Sequence, residues 1–186
     1  SMMSPTGGVV MTGHNHGASP PINTDHSDHE MPSKPMNLTA EAKGAVATII
    51  GSYLDLKDAL VNDRFDQAIS EAKQLKVELD GISMAMFEGE SHNLWMQEGM
   101  PLKALIEEIA NVGDIETARE TFKPLSMHLI NLAKAFNPME KPLFIQHCPM
   151  ADDFKGADWL STEENIMNPY YGASMLTCGE VTDTIQ

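Results

Sequence analysis

The sequence predicts a mainly α protein: an antiparallel up-down four-helix bundle followed by a loop-rich C-terminal cap with room for short strands. Three observations predict it. Four apolar stripes repeat at helical spacing within residues 38–137. Only a few polar residues separate successive stripes, and connections that short set neighbouring helices antiparallel. Past Asn137 the helical period stops, and Gly, Pro, Asn and aromatic residues take over.

Taken in order, the first stripe is Ala42, Val46, Ile49, Tyr53, Leu56 and Leu60, spaced by three and four, which predicts a helix over about 40–62 with Thr39 as its N-cap. After Asp63 a second stripe runs through Phe65, Ile69, Ala72, Leu75, Leu79, Ile82 and Met86, and Gly89 is expected to end it. A third helix is predicted from Ser91 to about Val112, carrying Trp95, Leu102, Leu105, Ile106 and Ile109, with an irregularity at Pro101. Asp114 caps a fourth: Ile115, Ala118, Phe122, Leu125, Leu129, Leu132 and Phe136, with Pro124 inside it expected to introduce a bend. The chain shows no internal repeat. From about residue 138 the cap begins. "NPMEKPLFIQHCPM" offers an apolar run for a strand, while "GADWLS", "NPYYGASM" and "CGEV" are turn-rich. Trp159, Tyr170 and Tyr171 are large enough to pack this segment on the bundle, and a stretch of such length is not expected to be mere linker. The domain is therefore read as 38–186.

Residues 1–37 read as a disordered tail, rich in Gly, Pro, Ser, Asp and His and without apolar periodicity. It holds four of the seven histidines: His14, His16, His26 and His29. Two readings stand side by side, a solvated linker and weak multidentate capture of copper or zinc by "HNH" and "HSDHEM".

The formal charge is −15, from 27 acidic against 12 basic residues. Such a surface repels phosphate backbones and anionic lipid, which argues against nucleic acid and membrane surfaces as partners. No apolar run is long enough for a membrane-spanning segment. No secretory signal is visible, but "SMMSPTGG" reads as an engineered start with Ser1 a cloning scar, so an export signal is expected to have been removed.

Chemistry concentrates in two short stretches, "QHCPMAD" (146–152) and "ASMLTCGEV" (173–181). They hold the only two cysteines, Cys148 and Cys178, each with a methionine close by, Met150 and Met175, and His147 beside Cys148. Thiolate and thioether sulfur are soft donors that select Cu(I) over harder ions. Zinc is content with Cys148, Cys178 and His147 but has no use for methionine, so the methionines, fourteen in the chain, favour copper. A disulfide is the competing reading; it would be worth about 3–4 kcal/mol in the chain-entropy model. From spacing alone, disulfide, metal site and inert thiols all stay open.

A second constellation is His92, Met96 and Met100, four apart on the third helix and so on one face. His128 lies on the fourth helix at the edge of its buried stripe, with Met127 facing away. Methionines at helical spacing are more often gap-filling core than ligands, so this set ranks second. No GxSxG elbow, phosphate loop or HExxH is present. Adjacent strand residues point to opposite faces, which argues against a Cys148–His147 nucleophile. No enzymatic role is expected.

Four segments, "SHNLWM" (91–96), "ARETFKPLS" (118–126), "QHCPMADDFKGADWLS" (146–161) and "NPYYGASMLTCGEV" (168–181), together resemble a domain of unknown function from Gram-negative envelopes. That domain also occurs fused to the periplasmic adaptor subunits of copper and silver efflux pumps. The resemblance covers about 45–183 and excludes the His-rich tail. It implies heavy-metal handling, and it points to Cys148, Met150, Met175 and Cys178, and less directly to His92. The resulting expectation is a periplasmic, secreted or envelope-anchored protein that buffers or hands on Cu(I), with an efflux adaptor or another envelope protein as a candidate partner. The rivals are a structural or interaction module closed by a Cys148–Cys178 disulfide, and a zinc-binding protein.

Overall fold

The computed structural model describes residues 34–186. The tail histidines His14, His16, His26 and His29 lie outside the described residues. The last residues read as tail are tied to the fold: the Met36 N–H donates to the Ala135 carbonyl at 2.7 Å, and Met36 and the following Leu38 pack half-buried against the core.

Helix α1 spans Ala40–Val61, and the Thr39 hydroxyl caps it by accepting from the Ala42 N–H at 3.1 Å. Helix α2 spans Phe65–Asp80, ending well short of the Gly89 that the stripe indicated. Gly81 follows Asp80, and the Ser83 side chain then accepts from the Ala85 N–H to start a separate 3-10 turn at Met84–Met86. Ile82 and Met86 kept the period because both rest on the core, not because the helix continues.

The predicted third helix is two, α3 (Gly89–Leu94) and α4 (Met100–Ile109), joined by a π-turn at Trp95–Gly99. Proline supplies the physical reason. Pro101 has no N–H to give its i−4 carbonyl, and just before it the Met100 N–H bonds the Trp95 carbonyl five residues back. Helix α5 spans Ile115–Phe136; Asp114 caps it by accepting from the Thr117 N–H at 2.8 Å, and Asn137 closes it in the left-handed conformation.

The helical part is thus five helices rather than four. α1 packs on α2, α2 on α4, α4 on α5, and α5 back on α1. Between them Tyr53, Leu56, Leu75, Leu102, Ile106 and Phe122 are fully buried, and Tyr53 stacks on Phe122 with ring centroids 5.0 Å apart. Among the described residues no helix is long and apolar enough to cross a membrane.

After Asn137 the chain forms a small antiparallel sheet of β1 (Leu143–Cys148), β2 (Ala157–Ser161) and β3 (Glu180–Ile185), in the order β2-β1-β3. The apolar run of the cap is the central strand, and β2 lies against α5. One buried hydroxyl ties the layers together. Tyr53 of α1 shares a 2.7 Å hydrogen bond with Ser126 of α5 and accepts from the Leu160 N–H of β2 at 3.2 Å. The pairing matters because a buried polar group left without a partner costs about 1–3 kcal/mol.

Candidate metal centre

Strand β1 ends on Cys148, which is fully buried. Cys178 arrives from the other side, just before β3, at the end of the loop that contains "NPYYGASM". That loop is organised around Asn168, itself fully buried. Its side-chain amide donates to the Cys178 carbonyl at 2.8 Å, its side-chain oxygen accepts from the Tyr170 N–H at 2.8 Å, and its backbone N–H donates to the Leu176 carbonyl at 2.8 Å. The Cys178 N–H closes a turn onto the Met175 carbonyl at 3.0 Å. Gly179 then allows the chain to meet β1. Its φ is 144°, and a Cβ there would lie 2.7 Å from the His147 carbonyl, too close for any side chain.

The outcome is a pair of free thiols with Sγ atoms 3.3 Å apart. The hydrogen bond to Cys148, and after it burial, push the Cys178 thiol above its ordinary range. Met150 and Cys178 are half-buried against the core, and Met175 is half-buried in the same loop. The Tyr171 hydroxyl donates to the Met150 carbonyl at 2.7 Å. Burial, followed by the nearness of both thiols, pushes the tyrosine's pKa up and disfavours its ionisation.

His147 is placed elsewhere. Its Nδ1 lies 2.6 Å from Asp158 Oδ1, the residue opposite it on β2, while Cys148 pairs with Ala157. As neighbours on one strand, the imidazole and the Cys148 thiol leave the backbone on opposite faces. Among the described residues no three His, Cys, Asp or Glu side chains gather as a metal-holding group. The π-turn interrupts the four-residue spacing of His92, Met96 and Met100, and both methionines are about half exposed. The His128 Nδ1 sits 2.8 Å from Glu98 Oε2, an oxygen that Asn131 also holds at 3.0 Å, so this histidine serves a buried bridge between the π-turn and α5.

A family described as "Protein of unknown function (DUF3347)" matches residues 49–141. The chain belongs to that family. No curated protein and no solved structure matches the chain. The family match runs from α1 to the residues just before β1, so the thiol pair of this DUF3347 member lies beyond the matched segment.

Two features around the site carry little signal in the sequence. The first is the clamp that holds the 168–173 loop on the helices. Arg119 of α5 donates through Nε to the Pro169 carbonyl (2.8 Å) and through Nη2 to the Leu60 carbonyl (2.7 Å) and Asp63 Oδ1 (2.6 Å), while Asp63 Oδ2 accepts from the Ala173 N–H at 2.9 Å. The guanidinium, more than any other group, holds the Asp63 carboxyl below the usual carboxylate range. Gly172, at φ 54°, lies so close that a Cβ would collide with the Asp63 carboxylate and the Arg119 guanidinium. An arginine within the apolar stripe of α5 was the one available hint. The second feature is a run of three left-handed residues one position beyond the Cys-Pro-Met segment, after Ala151: Asp152 (φ 54°), Asp153 (φ 53°) and Phe154 (φ 65°). Each such residue costs about 1–2 kcal/mol. Lys123 of α5 pairs with Asp152 and anchors the turn.

Proposed function

We propose that the protein binds one Cu(I) as cargo between Cys148 and Cys178, and buffers it or hands it on in heavy-metal homeostasis. The 3.3 Å approach of the two sulfurs carries this reading: two soft donors 30 residues apart in the chain meet at one point of the fold. Met150 and Met175 are the thioethers that accompany the two cysteines in sequence, and they are assigned as auxiliary donors. The ion's contribution is its preference for sulfur. The protein contributes a buried thiol at a strand end and a second thiol positioned by Asn168.

Zinc is the weaker reading, because it wants about four ligands including nitrogen or further thiolates, and His147 leaves β1 on the face opposite Cys148. A periplasmic or envelope location, an efflux adaptor as recipient, and an antiparallel up-down order of the helices belong to the same proposal. The closed circuit of helix contacts and the short connections between α1 and α2 and between α4 and α5 support the last of these. No catalytic step is assigned.

Titration of reduced protein with Cu(I) against a competing chelator tests the proposal. One equivalent should bind tightly, and Cys148→Ser should abolish it. Met150→Leu should weaken Cu(I) binding and leave zinc affinity nearly unchanged. Undiminished Cu(I) binding by Cys148→Ser would move the site elsewhere, with His92, Met96 and Met100 the next residues to test.

A further inference from the structure

The two thiols of the pair are not equivalent. Cys148 is fully buried at the end of the central strand, whereas Cys178 is only half-buried, on a loop that ends beside the edge strand β3. Their sulfurs are 3.3 Å apart, and both are free. A disulfide needs an S–S distance of about 2.05 Å, so side-chain rotation through little more than an ångström would bond them. A molecule arriving from solvent meets Cys178 first, and any adduct formed there has a second thiol directly behind it.

We propose that Cys178 is a site of thiol–disulfide exchange with low-molecular-weight disulfides, and that Cys148 is its resolving partner. In the first step Cys178 gives up its proton and its sulfur attacks one sulfur of the small disulfide. A mixed disulfide forms, the small S–S bond breaks, and one small thiolate leaves and takes up a proton. In the second step Cys148 gives up its proton and its sulfur attacks Cys178 Sγ. The Cys148–Cys178 bond forms, the mixed disulfide breaks, and the second small thiolate leaves as thiol. Two protein thiols are oxidised and one small disulfide is reduced to two thiols. The order of events follows from access, since exchange requires the attacking sulfur to reach its target; the raised pKa of Cys178 slows the first step without changing which sulfur solvent reaches.

This gives the site a redox state as well as an ion. The consequence for copper rests on the Cu(I) reading: once bonded to each other, the two sulfurs have no thiolate to offer, so oxidation releases the ion or prevents its capture. Copper binding and exchange can nevertheless fail independently, because exchange is measured on metal-free protein and copper binding on reduced protein.

The experiment uses the full chain, reduced, freed of metal with a chelator and exposed to oxidised glutathione, with adducts mapped by mass spectrometry. In the parent protein a glutathione adduct on Cys178 should appear first and convert to the Cys148–Cys178 disulfide. Cys148→Ser, or Cys148→Ala if serine prevents folding, should stop at a stable adduct on Cys178. Cys178→Ser should leave Cys148 unmodified, or modified at least ~10-fold more slowly. Modification of Cys148 ahead of Cys178 in the parent protein would overturn the assignment, as would an adduct on Cys178 that never resolves.

Discussion

The helical region and the C-terminal region of this protein are held together in different ways. Between Ala40 and Phe136 stability comes from many interchangeable apolar contacts: fully buried Leu, Ile, Val and Phe side chains, with capping at Thr39 and Asp114. Beyond Asn137 the sheet shares that core through Leu143, Ile145, Trp159 and Leu160, but the loops that carry the site depend on a few single-residue fastenings. Arg119 and Asp63 clamp the 168–173 loop, Asn168 folds that loop on itself, and Tyr53 bonds β2 to α1 and α5. Hydrophobic burial is non-directional and tolerates approximation, while a hydrogen bond fails outside a narrow range of distance and angle. A pair of sulfurs 3.3 Å apart needs the second kind of construction.

Breaking the first region should have the largest effect. Phe122→Ala removes a fully buried ring stacked on Tyr53 and should cost about 3–5 kcal/mol, seen as a lower urea midpoint for the whole molecule. Breaking the clamp should be smaller and local. Arg119→Met removes the hydrogen bonds to Pro169, Leu60 and Asp63 and should cost about 2–3 kcal/mol. Its signature is faster proteolysis within 162–178 with the helical circular dichroism retained; simultaneous loss of both would show that the two regions do not differ as described.

These two regions also differ in how well the sequence announces them. The stripes of α1 and α5 and both caps are legible because helical burial repeats every 3.6 residues. The end of α2 is not legible because Ile82 and Met86 are partly buried for tertiary reasons and imitate the continuation of a helix. The π-turn was legible only as an irregularity near Pro101. In the cap, composition points to turns and short strands, but nothing periodic distinguishes Asn168 or Asp63 from ordinary loop residues. Adjacency in sequence groups His147 with the thiols, and strand alternation turns it towards Asp158 instead. The clamp pairs residues 56 apart, a separation at which a single sequence shows no coupling.

Two finer perturbations sharpen the contrast. Gly172→Ala forces a side chain into a left-handed position against Asp63 and Arg119 and should cost about 1–3 kcal/mol, with the loop loosening before the helices melt. The smallest effect should come from pH. The folded-state pKa of Asp63 is depressed, first by the hydrogen bond from Arg119 and then by the Ala173 N–H. Its contribution is therefore present above the ordinary carboxylate value of about 4 and is lost as pH falls through the folded-state value. Proteolysis of the loop should accelerate on acidification through that range, and Asp63→Asn should remove much of the acceleration. A pH response identical in Asp63→Asn would assign it to other carboxylates.

The central claim is that the ion binds at the cysteine pair of the cap, and X-ray absorption at the copper edge of the one-to-one Cu(I) complex tests it most directly. The proposed site predicts a shell of sulfur scatterers alone, lost in the Cys148→Ser protein. A shell dominated by nitrogen, unchanged by that substitution, would place the copper on histidine and contradict the proposal.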